Sequence, residues 1–187
     1  MRTLEDVRAE CLGCEACGLC RERTNLVFGV GDPHAHIMFI GEGPGEQEDL
    51  SGVPFVGRAG KLLDLMLDAI GLSRENGIYI ANVVKCRPPQ NRDPLPEEME
   101  PCSRWLNEQI EIINPKIIVC LGRFAAGRLI NPDIKITKEH GQFTERDSRL
   151  YMATLHPAAL LRNPRQKPEA FEDFLKLRDT LEKMGAL

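Results

Sequence analysis

Apolar residues recur along this chain in two alternating patterns. Short continuous runs, His36-Ile37-Met38-Phe39-Ile40, Ile78-Tyr79-Ile80-Ala81, Lys116 to Leu121 and Arg149 to Leu155, read as strands buried on both faces. Between them lie stretches with helical spacing. Gly57 to Ile70 crowds Leu62, Leu63, Leu65, Met66 and Leu67 onto one broad face; Pro96 to Ile113 opens with proline and glutamate; Arg123 to Leu129 is shorter; Glu169 to Met184 closes the series. Strand and helix in turn predict a mostly parallel sheet covered on both faces through right-handed crossovers, a single-domain three-layer α/β/α sandwich. The segment from Asn131 to Ser148 is less periodic and is expected to hold an antiparallel excursion.

The polar punctuation of these runs is informative. The first strand leads into Gly41-Glu42-Gly43-Pro44-Gly45-Glu46-Gln47-Glu48-Asp49, the second ends at Asn82, and the last ends at His156-Pro157. Ligands of open parallel sheets bind beyond the carboxyl ends of the strands, so these three distant features are expected to meet in one crevice. Singly, a glycine-rich turn, an asparagine after a strand and a His-Pro corner are ordinary; together at one edge they describe a pocket.

A chain of 187 residues with 42% hydrophobic content can bury one substantial core. It contains no apolar stretch long enough to span a bilayer, and Met1-Arg2-Thr3-Leu4-Glu5 lacks the features of a signal peptide, so the expectation is a soluble, intracellular, cytoplasmic protein. The net charge of -4 offers no global attraction to nucleic acid. Basic residues nevertheless gather at the expected strand ends: Lys85, Arg87 and Arg92 follow the second strand, and Arg162, Arg165 and Lys167 follow His156.

Seven cysteines, an odd number with no secretion signal, favour thiolate ligation over a disulfide framework. Cys120 lies in an apolar run and reads as a small buried hydrophobe. Two ligand sets remain: the local series Cys11, Cys14, Cys17 and Cys20, or one C-x2-C pair with Cys86 and Cys102. Spacing alone favours neither, and zinc is served by the split set as well as iron is. Gly41 to Gly45 has neither the Lys-Ser/Thr ending of a P-loop nor the spacing of a dinucleotide fingerprint.

Five motifs in series then carry a resemblance over nearly the whole chain: the N-terminal C-x2-C, Gly41-Glu42-Gly43-Pro44-Gly45, Pro54-Phe55-Val56-Gly57-Arg58-Ala59-Gly60, Asn82-Val83-Val84-Lys85-Cys86-Arg87-Pro88-Pro89, and His156-Pro157-Ala158. In this order they resemble the family 4 uracil-DNA glycosylases. The resemblance implies a 4Fe-4S cluster held by Cys14, Cys17, Cys86 and Cys102, a cluster-binding segment over about residues 1–25, and Cys11 and Cys20 as extra thiols. It implies a monomer acting on uracil-containing DNA, hydrolysing the bond from base to sugar and leaving an abasic site. Phe55 would stack on the flipped base, Asn82 would read N3–H and O4, His156 would donate to O2, the Glu42-Gly43 backbone would approach the base, and Glu48 would sit near C5 against the thymine methyl.

Better-known uracil glycosylases carry a water-orienting aspartate before the proline of the first motif, where this chain has Gly43. Either Glu42 or Glu48 substitutes, or backbone groups hold the water and leaving-group stabilisation dominates; the second is the preferred expectation. A related group traps the sugar covalently through a histidine, which Gln90-Asn91-Arg92-Asp93-Pro94 lacks, so turnover is expected. Expected DNA contacts are Arg58, Lys85, Arg87 and Arg162, with Leu160 and Leu161 as a wedge into the base stack. The competing reading is an iron-sulfur or zinc protein that binds nucleic acid or nucleotide without glycosylase activity.

Overall fold

The computed structural model describes residues 2–186. Its centre is a sheet of six strands, β1 (Val30–Gly31), β2 (Ile37–Gly41), β3 (Ile78–Asn82), β4 (Ile117–Leu121), β5 (Phe143–Arg146) and β6 (Arg149–Thr154), in the order β1-β3-β2-β4-β6-β5. β3, β2, β4 and β6 run parallel, while the edge strands β1 and β5 are antiparallel to their neighbours. The less periodic segment thus supplies β5, the antiparallel excursion read from its composition.

Period-two alternation divides the strand side chains between two helical layers. Met38, Ile40, Ile118 and Cys120 pack with Val7, Leu106, Ile110 and Ala126 beneath α1 (Leu4–Leu12), α4 (Pro96–Ile113) and α5 (Arg123–Leu129). Ile37, Phe39, Ile117 and Val119 pack on the opposite face with Leu63, Leu67, Leu160 and Phe174, from α3 (Arg58–Asp68), α7 (Pro157–Arg162) and α8 (Lys167–Lys183). Each such buried aliphatic or aromatic side chain contributes about 1.5–3 kcal/mol. The three-layer α/β/α architecture is therefore observed, and the helices Pro96–Ile113 and Arg123–Leu129 have the expected bounds. Two short helices, α2 (Glu46–Ser51) and α6 (Ile136–Glu139), lie in connections.

The order reverses at β2, which pairs with β3 on one side and β4 on the other. Diverging crossovers leave a crevice beyond the carboxyl ends at such a switch point. Gly41, Asn82, Leu121 and Thr154 are the last residues of the strands that border it. Among the described residues, no helix is long and apolar enough to cross a membrane.

Candidate active site and cysteine cavity

A cleft of about 490 Å³ opens at this edge, lined by Glu42 and Gly43 after β2, Phe55, Asn82, Gly122 and Arg123 after β4, and His156 after β6. The three strand ends singled out in the sequence are therefore in one cavity. Two glycines make the convergence possible. A Cβ on Gly41 would lie 2.5 Å from both Asn82 Oδ1 and Phe55 Cζ, and one on Gly122 would lie 2.9 Å from His156 Cβ.

Asn82 is 1% exposed. Its Oδ1 is buried and has no hydrogen-bond partner. An unpaired acceptor of this kind costs about 1–3 kcal/mol, so the cleft holds an unmet demand for an N–H donor. Beside it the Phe55 ring lies 5.6 Å from the His156 ring, centroid to centroid, with 30° between their planes. His156 caps α7: its Nδ1 accepts a hydrogen bond of 3.0 Å from the Ala158 backbone N–H. Burial, reinforced by the nearby Arg162, pushes the imidazole down to about 4. A neutral ring whose Nδ1 accepts carries its proton on Nε2, so His156 presents one N–H donor without a charge.

Glu48 lines the cleft, but both carboxylate oxygens are engaged by backbone. Oε1 accepts from Val56 N at 2.9 Å and Gly57 N at 2.8 Å, and Oε2 accepts from Gly45 N at 3.1 Å. It thereby joins the first turn of α2 to the Phe55 loop. Glu42 behaves differently. Burial, helped by the charge of Asp93, lifts its carboxyl to about 7 against the opposing pull of Arg123 and Arg162. A carboxyl poised near neutrality inside a cleft is suited to exchange a proton with water.

The basic residues divide. Arg58 and Arg162 are exposed, and Arg162 lines the cleft. Arg87 is half-buried with its Nε donating to Asn91 Oδ1 at 2.7 Å. Lys85 corrects the expectation of a DNA contact: it is 1% exposed, and its Nζ donates to Asn82 O at 3.0 Å and Gln109 Oε1 at 2.6 Å. Leu160 is likewise not a wedge, because it is fully buried in the core layer of α3 and α8. Leu161, the next position around the helix, is half-buried and remains available. Sequence reading missed Arg123 and Asp93, an ion pair of 2.6 Å that lines the cleft. Arg123 had a usable signal, since it follows a strand that ends at the same edge.

A second, largely apolar cavity is lined by Cys14, Cys17, Cys20, Cys86 and Cys102, together with Arg23, Lys85 and Trp105. None of the seven cysteines is joined in a disulfide. Several sulfurs accept N–H groups: Cys14 from Trp105 Nε1 at 3.3 Å, Cys86 from Arg23 Nη1 at 3.4 Å, and Cys102 from the Lys85 backbone at 3.3 Å. Burial raises the thiols of Cys17, Cys86 and Cys102, the last to about 11, and a bound cation would favour their thiolate forms. Burial pushes the Lys85 ammonium down to about 8, against an opposing pull from Cys102, Cys11 and Cys86. Among the described residues, no group of three or more histidine, cysteine, aspartate or glutamate side chains is arranged to hold a metal ion. Cys11 packs in the core without lining the cavity, and Cys120 is fully buried between strands, as its apolar surroundings suggested.

The family model of the uracil DNA glycosylase superfamily matches residues 28–178. The type-4 uracil-DNA glycosylase of Archaeoglobus fulgidus is 48% identical over 185 residues, covering 95% of this chain and 92% of that protein. The type-4 enzyme of Thermotoga maritima is 46% identical over 176 residues, covering 92% of this chain and 91% of its own. A type-5 uracil-DNA glycosylase of Pyrobaculum aerophilum is more distant, at 32% identity over 70% of this chain and 64% of the relative. Similarity of this degree over nearly the whole chain places it in the uracil-DNA glycosylase superfamily and, within it, among the type-4 uracil-DNA glycosylases.

Proposed function

We propose that this protein is a monofunctional DNA-repair glycosylase that releases uracil from DNA and leaves an abasic site. The observation that carries this reading is the buried, unpartnered Oδ1 of Asn82, set beside the Phe55 ring. Uracil offers N3–H to that acceptor and O4 to the amide N–H of the same side chain, whereas cytosine inverts both. The flipped base stacks on Phe55, an interaction worth about 1–3 kcal/mol. As the bond from N1 to C1′ breaks, its electron pair passes to uracil, and the Nε2–H of neutral His156 stabilises the charge at O2. A water oxygen bonds to C1′, and Glu42 takes its proton. Glu42 thus fills the role for which the sequence favoured backbone groups, because Glu48 is occupied by the loop. DNA phosphates offset positive charge on the sugar, and Arg58, Arg87, Arg123 and Arg162 are the proposed DNA contacts, with Leu161 as the wedge.

The cysteine cavity suits a 4Fe-4S cluster. Cys14, Cys17, Cys86 and Cys102 would hold it, and N–H groups from Trp105, Arg23 and Lys85 would offset the charge on its sulfurs. When bound, the cluster would tie the N-terminal segment of about residues 1–25 to the stretch from Cys86 to Cys102. A single domain over 1–187, acting as a cytoplasmic monomer on uracil-containing DNA, completes the proposal.

The direct test is release of free uracil from an oligonucleotide with one uracil, followed by alkaline cleavage at the abasic site; a metal-replete protein that releases none contradicts the proposal. Serine at position 14, 17, 86 or 102 should deplete iron and destabilise the fold, while Cys11→Ser and Cys20→Ser should keep full iron. Full iron in Cys86→Ser with loss in Cys20→Ser restores the local ligand set. A pH profile separates the two titrating groups. Glu42, raised to about 7, accepts a proton only above that pH, so single-turnover rate should fall as pH drops through about 7. His156, lowered to about 4, stays neutral throughout this window. Glu42→Gln should abolish the acid limb; a limb that persists there assigns the titration elsewhere.

A further inference from the structure

Phe55 holds a backbone conformation that an aromatic residue rarely adopts, with φ at 55°. Such a turn persists only when surrounding groups fix it, and here one backbone group on each of four consecutive residues, Pro54 to Gly57, is fixed by two side chains. Glu48 accepts from the N–H groups of Val56 and Gly57, as described above. On the other side stands Arg74, in the connection between α3 and β3. Its Nη1 donates to Pro54 O at 2.7 Å and its Nη2 to Phe55 O, while Nε donates to Asp64 Oδ1 at 2.6 Å. The planar guanidinium fork reaches two adjacent carbonyls and a carboxylate from three separate nitrogens, a spread that the single nitrogen of an ammonium lacks. Gly60 completes the seat, because a Cβ there would lie 1.8 Å from Phe55 O. Arg74 itself lies outside the cleft that holds Asn82 and His156.

We propose that Arg74 is a positioning residue for base excision, holding the Phe55 turn so that the ring stands ready as a stacking platform before DNA arrives. The proposal rests on the reading of Phe55 as the surface on which uracil stacks. Arg74 touches neither base nor sugar and acts only through the ring it presents.

The test is a double-mutant cycle of Arg74→Met and Phe55→Ala, read as single-turnover uracil release at saturating enzyme, with DNA affinity, iron content and melting temperature measured alongside. Arg74→Met should slow release by about tenfold, a part of what a base-aromatic stack supplies, with DNA affinity and iron near parental. Arg74→Lys should recover little of the loss. In the Phe55→Ala background Arg74→Met should cost nothing more, since there is no ring left to position. Equal losses in both backgrounds, or a parental rate in Arg74→Met beside a slow Phe55→Ala, overturn the Arg74 role while leaving the stacking role of Phe55 intact. A parental rate in Phe55→Ala removes the stacking reading and the proposal with it. If Arg74→Met does not fold, Asp64→Asn, which loosens the guanidinium from an exposed carboxylate, replaces it in the same cycle with a smaller, equally non-additive slowing.

Discussion

His156→Ala is expected to slow uracil release by about a hundred- to a thousandfold, the usual cost of removing one preorganised donor from an anion site. Affinity for uracil-containing DNA should stay near parental. The separation follows from what the imidazole does. Its Nδ1 is committed to the Ala158 N–H, and its burial keeps it neutral, so the remaining Nε2–H meets a ground-state carbonyl weakly and a developing oxyanion strongly. The loss should therefore fall on the chemical step. Because alanine also removes the cap that accepts the Ala158 N–H, a modest drop in melting temperature of the kind expected from a lost helix cap should accompany it. A parental single-turnover rate would make His156 a corner residue and move the oxyanion role to another donor.

The core of the fold was legible because its strands are buried on both faces, and doubly buried strands are written as unbroken apolar runs. Ile37 to Ile40 and Ile117 to Leu121 needed no tertiary information to be found. Short elements were not legible in the same way. α1 is signalled only by its capping box, in which Thr3 Oγ1 accepts from Asp6 N and Asp6 Oδ2 accepts from Thr3 N. α7 is six residues long, and its cap is a histidine, His156. β1 has only two residues, and the apolar stretch Leu26-Val27-Phe28 that precedes it is not itself a strand.

The lining of the cleft was legible where residues sit at strand ends and obscure where it depends on side-chain orientation. Asn82, His156 and the Glu42-Gly43 turn followed from the edge rule. Lys85 and Leu160 were misplaced because neither charge nor position in a motif says which way a side chain points. Lys85 turns inward, where Asn82 O and Gln109 Oε1 receive its ammonium, and its backbone N–H donates to Cys102 Sγ, so it joins the end of β3 to the cysteine cavity. Leu160 faces the core while Leu161, one residue on, does not. The Arg123–Asp93 pair and the grip of Arg74 on Phe55 join segments far apart in the chain, and no local pattern encodes them.

Asn82→Asp carries the other large effect. The substitution keeps the size of the side chain but exchanges its N–H donor for an oxygen, which faces uracil O4 lone pair to lone pair. Sites built around such a hydrogen-bond code lose far more than a bond when the code is broken, because buried polar groups are left unpaired. At position 82 the penalty is sharpened by near-complete burial. The variant should lose about a hundredfold or more in excision, more than it loses in DNA affinity, and its remaining preference should shift toward cytosine, whose N4 donates where uracil O4 accepts. The decisive measurement is single-turnover uracil release from matched oligonucleotides by Asn82→Asp and the parent, with DNA binding measured on the same samples. Collapse of release with binding largely kept is the expected result; release as fast as the parent would contradict the central claim that the orphaned Asn82 acceptor at the switch-point cleft reads the base.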